Sequence, residues 1–235
     1  MGGRDTDVVL LDENGIRSDG RKVNETRKVT IKAGVLKNAG GSAYIEFGGN
    51  KILAGVFGPR DVHPKHMSNP DTGILRVRYH MEPFSVGERK KPAPSRREIE
   101  ISKVITEALR PAVMLEKFPR TALDVYLEVL QADGGTRCAA LDAASVAIAD
   151  AGIPMRDLVC ACAAGKAADT IILDVNNEED QAGQADMPIG YMPSLGKITL
   201  LQLDGVLTAD EYKKCIELGL EGCKQVYEIQ KNALR

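Results

Sequence analysis

The sequence predicts an α+β fold in which mixed or antiparallel sheets are packed by helices. Three observations lead there. Strand-like runs come in groups separated by single long helices, instead of alternating with them one for one. A hairpin signal, Gly48-Gly49-Asn50, joins two apolar runs. Two helix starts carry the capping-box pattern, Ser95 with Glu98 and Thr208 with Glu211.

The elements follow in order. Residues 1–26 read as an irregular lead-in, with a turn at Arg17-Ser18-Asp19-Gly20-Arg21. Val29–Val35, Ser42–Phe47 and Lys51–Phe57 read as strands. Residues 58–72 hold three prolines and read as a long loop, a kind of segment that is usually functional or disordered. Gly73–Met81 is strand-like, and 82–94 is a second loop rich in Lys, Arg and Pro. Ser95 then caps a helix whose apolar residues, Ile101 through Val113, recur at helical spacing, with Pro111 expected to kink or end it. Thr121–Gln131 alternates as a strand. Asp133-Gly134-Gly135-Thr136 opens an alanine-rich helix, Arg137–Ala151, closed by Gly152 and Pro154. Leu158–Ala164 and Thr170–Val175 are strands, and Asn176–Gln184 is an acidic turn. Met187–Met192 and Lys197–Leu203 are strands before the helix that Thr208 caps, which runs to Ala233. We expect one domain over 1–235.

Composition narrows the function classes. The 235 residues are 43% hydrophobic and 27% charged, as in a globular protein with a buried core. No apolar run reaches the roughly 18–20 residues that span a bilayer, and the first fifteen residues lack the apolar stretch of a secretory signal. Five cysteines (138, 160, 162, 215, 223) form an odd set without zinc-like pairs, which suits reduced thiols in a cytoplasmic protein. Cys160 and Cys162 share a strand face and read as core. With aromatics at 4%, base stacking on an aromatic platform is disfavoured. The net charge of −2 hides an asymmetry: residues 60–97 carry nine Lys/Arg against four Asp/Glu. Charge alone leaves two readings open, a local anion site or a solvated loop.

Three groups of residues are candidates for chemistry. Gly134-Gly135-Thr136-Arg137 places a glycine pair at a helix N-terminus, where free backbone N–H groups, a hydroxyl and a guanidinium suit an inorganic phosphate. An ordinary strand–helix turn with Thr136 as cap is the other reading. Asp180 and Asp186 flank a Gly-containing turn, where they serve as a general acid or divalent-cation pair, or stand as a solvated acidic turn. Glu178 and Glu179, just before them, are expected to raise a neighbouring carboxyl pKa. Arg96 and Arg97 stand in the first turn of a helix, against the macrodipole, a placement that a phosphate-rich ligand would offset. His63, His66 and His80 are weak signals; the pair His63-x-x-His66 sits in a loop without clear carboxylate or Cys companions for a metal.

Together, Arg17-Ser18-Asp19-Gly20-Arg21, Gly58-Pro59-Arg60, Ser95-Arg96-Arg97-Glu98, Asp133-Gly134-Gly135-Thr136-Arg137 and Glu179-Asp180 through Ala185-Asp186-Met187-Pro188 resemble the RNase PH family over nearly the whole chain, most nearly its exosome-type ring subunits. The resemblance implies the ribosomal-protein-S5-domain-2-like fold. It implies 3′→5′ phosphorolytic exoribonuclease activity, releasing nucleoside 5′-diphosphates, and the reverse RNA-tailing reaction. It further implies single-stranded RNA as substrate and inorganic phosphate as co-substrate. The expected assembly is a trimer of heterodimers with a related non-catalytic subunit, capped by RNA-binding subunits. On the family pattern, Asp180 and Asp186 are catalytic and leave room for Mg2+; Gly135, Thr136 and Arg137 bind phosphate; Arg96 and Arg97 bind the RNA backbone. Lys65 matches an RNA-gripping loop, with Arg60 near its base. Pro188 departs from the related bacterial polynucleotide phosphorylase, which has Lys there, so a lysine cannot stabilise the leaving group from this position. A non-catalytic RNA-binding scaffold and a homohexameric tRNA 3′-trimming enzyme are the alternatives.

Overall fold

A computed structural model describes residues 10–12 and 15–235. The lead-in expected over 1–26 lies partly outside the described residues. Its described part is held by two isolated bridges, Leu11 to Arg17 and Ile16 to Lys22.

The first sheet begins as an antiparallel meander of β1 (Val29–Ala33), β2 (Gly41–Phe47) and β3 (Asn50–Asp61). The chain crosses from β4 (Ile74–Met81) through helix α1 (Arg96–Leu109) to β5 (Thr121–Gln131), which pairs parallel to β4, so the sheet is mixed and its order is β1-β2-β3-β5-β4. The loop expected from residue 58 starts later. Gly58-Pro59 does not stop β3, because a register shift between Phe57 and Arg60 absorbs the proline and the strand resumes its pairing with β5 through Arg60 and Asp61.

Helix α2 (Thr136–Asp150) is buried almost throughout, from Cys138 to Ile148. A helix with no polar face must be covered on both sides. It packs against β2, β3 and β5 on one side and against the second sheet on the other. That sheet is antiparallel and joins β6 (Cys160–Ala167), β7 (Thr170–Leu173), β8 (Ala185–Met192), β9 (Lys197–Leu201) and the short β10 (Asp204–Gly205), with β9 and β10 taking successive stretches of one edge of β8. One continuous apolar core joins the two sheets through α2, and its cysteines are all buried. Between β7 and β8 lies a helix, α3 (Asn177–Ala182), where an acidic turn was expected. Asn176 and Glu179 form its capping box, which offsets its lack of an apolar face. Helix α4 (Ala209–Ala233) begins at the expected Thr208–Glu211 box and lies over β6, β7 and β8.

Candidate active site

The chain from 133 to 135 is the hinge of the site. Gly134 and Gly135 both take φ +68°, a backbone conformation that L side chains rarely adopt. A Cβ on Gly134 would stand 2.5 Å from the backbone of Asn176 and Asn177, so only glycine lets the start of α2 abut the start of α3. Asn50 clamps the turn from β3, accepting from Asp133 N–H at 2.6 Å and donating to the Gly134 carbonyl at 2.6 Å. Arg27 donates to the Asp133 carbonyl and is itself fixed by Asp174 at 2.7 Å. Gly135 becomes the N-cap and Thr136 the first helical residue, so the cap expected of Thr136 is not made. Its hydroxyl instead accepts from Tyr79 Oη at 2.9 Å.

The acidic wall is set by long-range pairs. Arg17, from the lead-in turn, is buried against Glu179, donating through Nε at 2.6 Å and through Nη2 as well. It also binds the Leu173 and Asp174 carbonyls, at 2.6 and 2.8 Å. With Glu179 engaged by Arg17 and the cap, the expectation that it raises a neighbouring carboxyl pKa is corrected. The raised carboxyl is Asp186, pushed up to about 7, first by burial and then by Asp180, with Asp204 adding to it and Arg137 and Arg97 opposing. Asp204 sits opposite Asp186 in the β8–β10 register.

These elements meet at one cavity of about 490 Å3, lined among others by Arg96, Arg97, Gly135, Thr136, Arg137, Asp180, Asp186 and Asp204. The structure thus brings together seven residues that the sequence singled out, from α1, α2, α3 and β8. Three enclosed polar atoms on its lining side chains lack hydrogen-bond partners: Arg137 Nε, Asp186 Oδ1 and Gln202 Oε1. Buried groups left this way call for a ligand or water. Arg137 is half-buried and held by Glu100 at 3.2 Å, whereas Arg96 and Arg97 are exposed with no ion pair among the described residues. The capping box of Ser95 and Glu98 presents these two arginines at the rim.

Lys65 and Arg60 do not line this cavity. Lys65 is exposed in a short 3-10 turn, and Arg60 shares Asp124 with Arg76, at 2.7 and 2.6 Å. Sequence reasoning missed Tyr79, Glu100, Gln202, Asp204 and the anchoring roles of Arg17, Arg27 and Asn50. The Asp133-Gly134-Gly135 turn and the Arg17-Ser18-Asp19-Gly20-Arg21 motif were visible, but their partners lie far along the chain.

The fold and this cavity define a nuclease. The 3′ exoribonuclease family matches the chain in two parts, its domain 1 over residues 25–154 and its domain 2 over 157–222, and the chain belongs to this family, RNase PH. Along its full length it is 79% identical to the exosome complex component Rrp41 of Cenarchaeum symbiosum, covering 96% of that protein, and 60% identical to Rrp41 of Thermococcus onnurineus, covering 94%. Among solved structures it resembles rice Rrp46, with a TM-score of 0.83 and 26% identity over 93% of this chain and 100% of that one. It also shares its fold with a chain of the Archaeoglobus fulgidus exosome with RNA bound to the active site, with a TM-score of 0.80 and 23% identity over 92% of each chain. The glycine turn at 134–135 lies in the first matched part and Asp180 and Asp186 in the second.

Proposed function

We infer that the chain is the phosphorolytic subunit of an exosome-type ring, shortening single-stranded RNA from its 3′ end. The carrying observation is that a helix N-terminus with three arginines faces three carboxylates across one cavity. Inorganic phosphate is held by the backbone N–H groups at Gly135 and Thr136, the Thr136 hydroxyl and Arg137. Arg96 and Arg97 draw the RNA backbone over it. An oxygen of the held phosphate attacks the terminal phosphodiester in line, the bond to the 3′ oxygen breaks, and Asp180 gives that oxygen its proton. The products are a nucleoside 5′-diphosphate and an RNA one residue shorter; running backwards, the same steps add tails. The acceptor is phosphate and not water, so the chemistry is a nucleotidyl transfer, driven mainly by positioning and charge neutralisation.

Asp186, whose carboxyl burial and Asp180 push up to about 7, keeps a proton beside Asp180 and is the reservoir for that transfer. Asp180 and Asp204 neighbour Asp186, whose Oδ1 is unpartnered, and carboxylate oxygens are the donors a hard divalent cation takes. Asp180 and Asp186 would hold Mg2+, which when bound would supply positive charge to offset the negative charge that develops as the bond breaks.

Lys65 grips RNA further out along the channel, with Arg60 a weaker participant because Asp124 neutralises it. Contacts to phosphates alone give sequence-tolerant binding that weakens with salt. The ring alternates this chain with a related non-catalytic RNase PH-like subunit and carries RNA-binding caps. Full-length similarity to archaeal Rrp41 proteins supports this assembly. Exposed Ile198, Leu201, Leu203 and Val206 along β9–β10 offer an apolar edge for a ring neighbour. We take residues 1–235 as one functional domain, since the cavity needs both matched parts. A cytoplasmic place suits its unpaired, buried thiols.

The test is release of nucleoside diphosphate from poly(A) with phosphate present, by the chain assembled with its ring partner. Asp180→Asn is expected to abolish it; intact release would overturn the acid role.

A further inference from the structure

A second polar cluster, at the end of β4, stands outside the residues that line the active-site cavity. The parallel β4–β5 register sets His80 directly beside Glu128 on one sheet face. Glu82, two residues past His80, is held there by its own N–H bonding the Val129 carbonyl at 3.1 Å and by its carbonyl accepting from Ser85 N–H at 2.9 Å. A ring nitrogen of His80 and one carboxylate oxygen each from Glu82 and Glu128 lie within 4.8 Å of one another. His80 is only 7% exposed, and its Nδ1 has no hydrogen-bond partner; the enclosed Oε2 of Glu128 has none either. Glu98 comes within 3.3 Å of His80 Nδ1, but both its oxygens are already accepting from backbone N–H groups, of Met81 at 2.8 Å and Ser95 at 2.5 Å. Arg78 and Lys90 are the neighbouring cations. Three carboxylates thus surround one imidazole, with two enclosed ligand-type atoms unsatisfied, an arrangement that costs stability unless something satisfies them.

We propose that His80, Glu82 and Glu128 bind one first-row divalent transition ion of the manganese-to-zinc class. One imidazole and two carboxylates form a mixed nitrogen–oxygen set that suits these ions better than Mg2+ or Ca2+, which prefer oxygen alone. Metal–ligand bonds of about 2.0–2.2 Å need the three donors slightly closer together, a closure that rotation of the two carboxylates supplies. The bound ion would pin the start of the 82–94 loop, the segment that leads to Arg96 and Arg97. The site does not depend on the phosphorolytic reading.

The experiment uses the full chain carrying Asp180→Asn and Asp186→Asn, so that the cavity carboxylates do not compete. Titration with Mn2+, followed by electron paramagnetic resonance, is expected to show one bound ion per chain, with nitrogen modulation from a directly bound imidazole. Zn2+ should displace it, and Mg2+ at the same concentration should not. His80→Gln should remove the modulation, and Glu128→Gln should weaken binding at least tenfold. Glu82→Gln, at the half-buried rim, gives the same loss of affinity where the inner variants do not fold. An ion bound without nitrogen modulation, or modulation that survives His80→Gln, overturns the proposal.

Discussion

Tyr79 Oη donates a hydrogen bond to Thr136 Oγ1 at 2.9 Å, joining the interior of β4 to the first helical residue of α2. Because Thr136 accepts there, its own hydroxyl proton stays free for another acceptor, which on the proposed reading is phosphate. Tyr79→Phe removes the donor and frees the Thr136 hydroxyl to turn. A net hydrogen bond is worth about 0.5–1.5 kcal/mol, so the KM for phosphate is expected to rise about threefold to tenfold while the KM for RNA stays level. Phosphate dependence of diphosphate release measures this. Parallel changes in both constants would mean that the tyrosine acts only on folding.

Asp186 sets a pH dependence of stability. Its carboxyl is raised from 3.8 to about 7 in the fold, so between these values the folded chain holds more protons than the unfolded one. Its stabilising contribution is complete below about pH 4 and is lost as pH rises through 7. Asp186→Asn has no such loss. Its melting temperature is expected to exceed that of the unsubstituted chain at pH 8.5, by at most about 4 kcal/mol in stability, and to match it near pH 4. Calorimetry at both pH values decides; a gap that shrinks on raising the pH reverses the sign and refutes the assignment. Mg2+ at high pH should narrow the gap where the ion binds Asp186.

Arg17 and Glu179 form a fully buried pair. Removing one partner of such a pair costs about 3–5 kcal/mol because the other charge stays buried. Arg17→Ala is expected to show that loss in denaturant unfolding, together with loss of activity as α3 shifts. Arg17→Lys should recover little, since an ammonium cannot reproduce the two-pronged contact and the bonds to the Leu173 and Asp174 carbonyls. Full recovery by lysine would reduce the pair to simple charge balance.

Arg96 and Arg97 are exposed and make no ion pair with described residues, so their replacement should leave folding untouched. Arg96→Glu with Arg97→Glu is expected to weaken RNA binding strongly and to flatten its salt dependence, with phosphate affinity nearly unchanged. Fluorescence titration with labelled RNA at several salt concentrations provides the check. Equal loss of both ligands would place the arginines in the phosphate pocket.

Helices α1 and α4 and strand β5 were legible because their signals are local: a capping box three residues wide, or alternation along eleven residues. Helix α3 was missed although Asn176-x-x-Glu179 is itself a capping pattern, because five acidic and polar residues and a single alanine show no apolar period. The extension of β3 past Gly58-Pro59 escaped notice because local punctuation was overruled by pairing with β5. The glycine turn, the two arginines and the two aspartates could be named from motifs. What the chain did not disclose was their support, for Arg17 finds Glu179 across 162 positions and Arg27 finds Asp174 across 147.

The cationic wall of the cavity comes from residues 96–137 and the anionic wall from residues 180–204. On the ribosome, the arginines therefore emerge well before the carboxylates that face them. A nascent chain halted between the two has the arginines and an uncovered α2, but not the carboxylates. The cavity is complete only when β10 has paired with β8, and α4 is the next element of the chain.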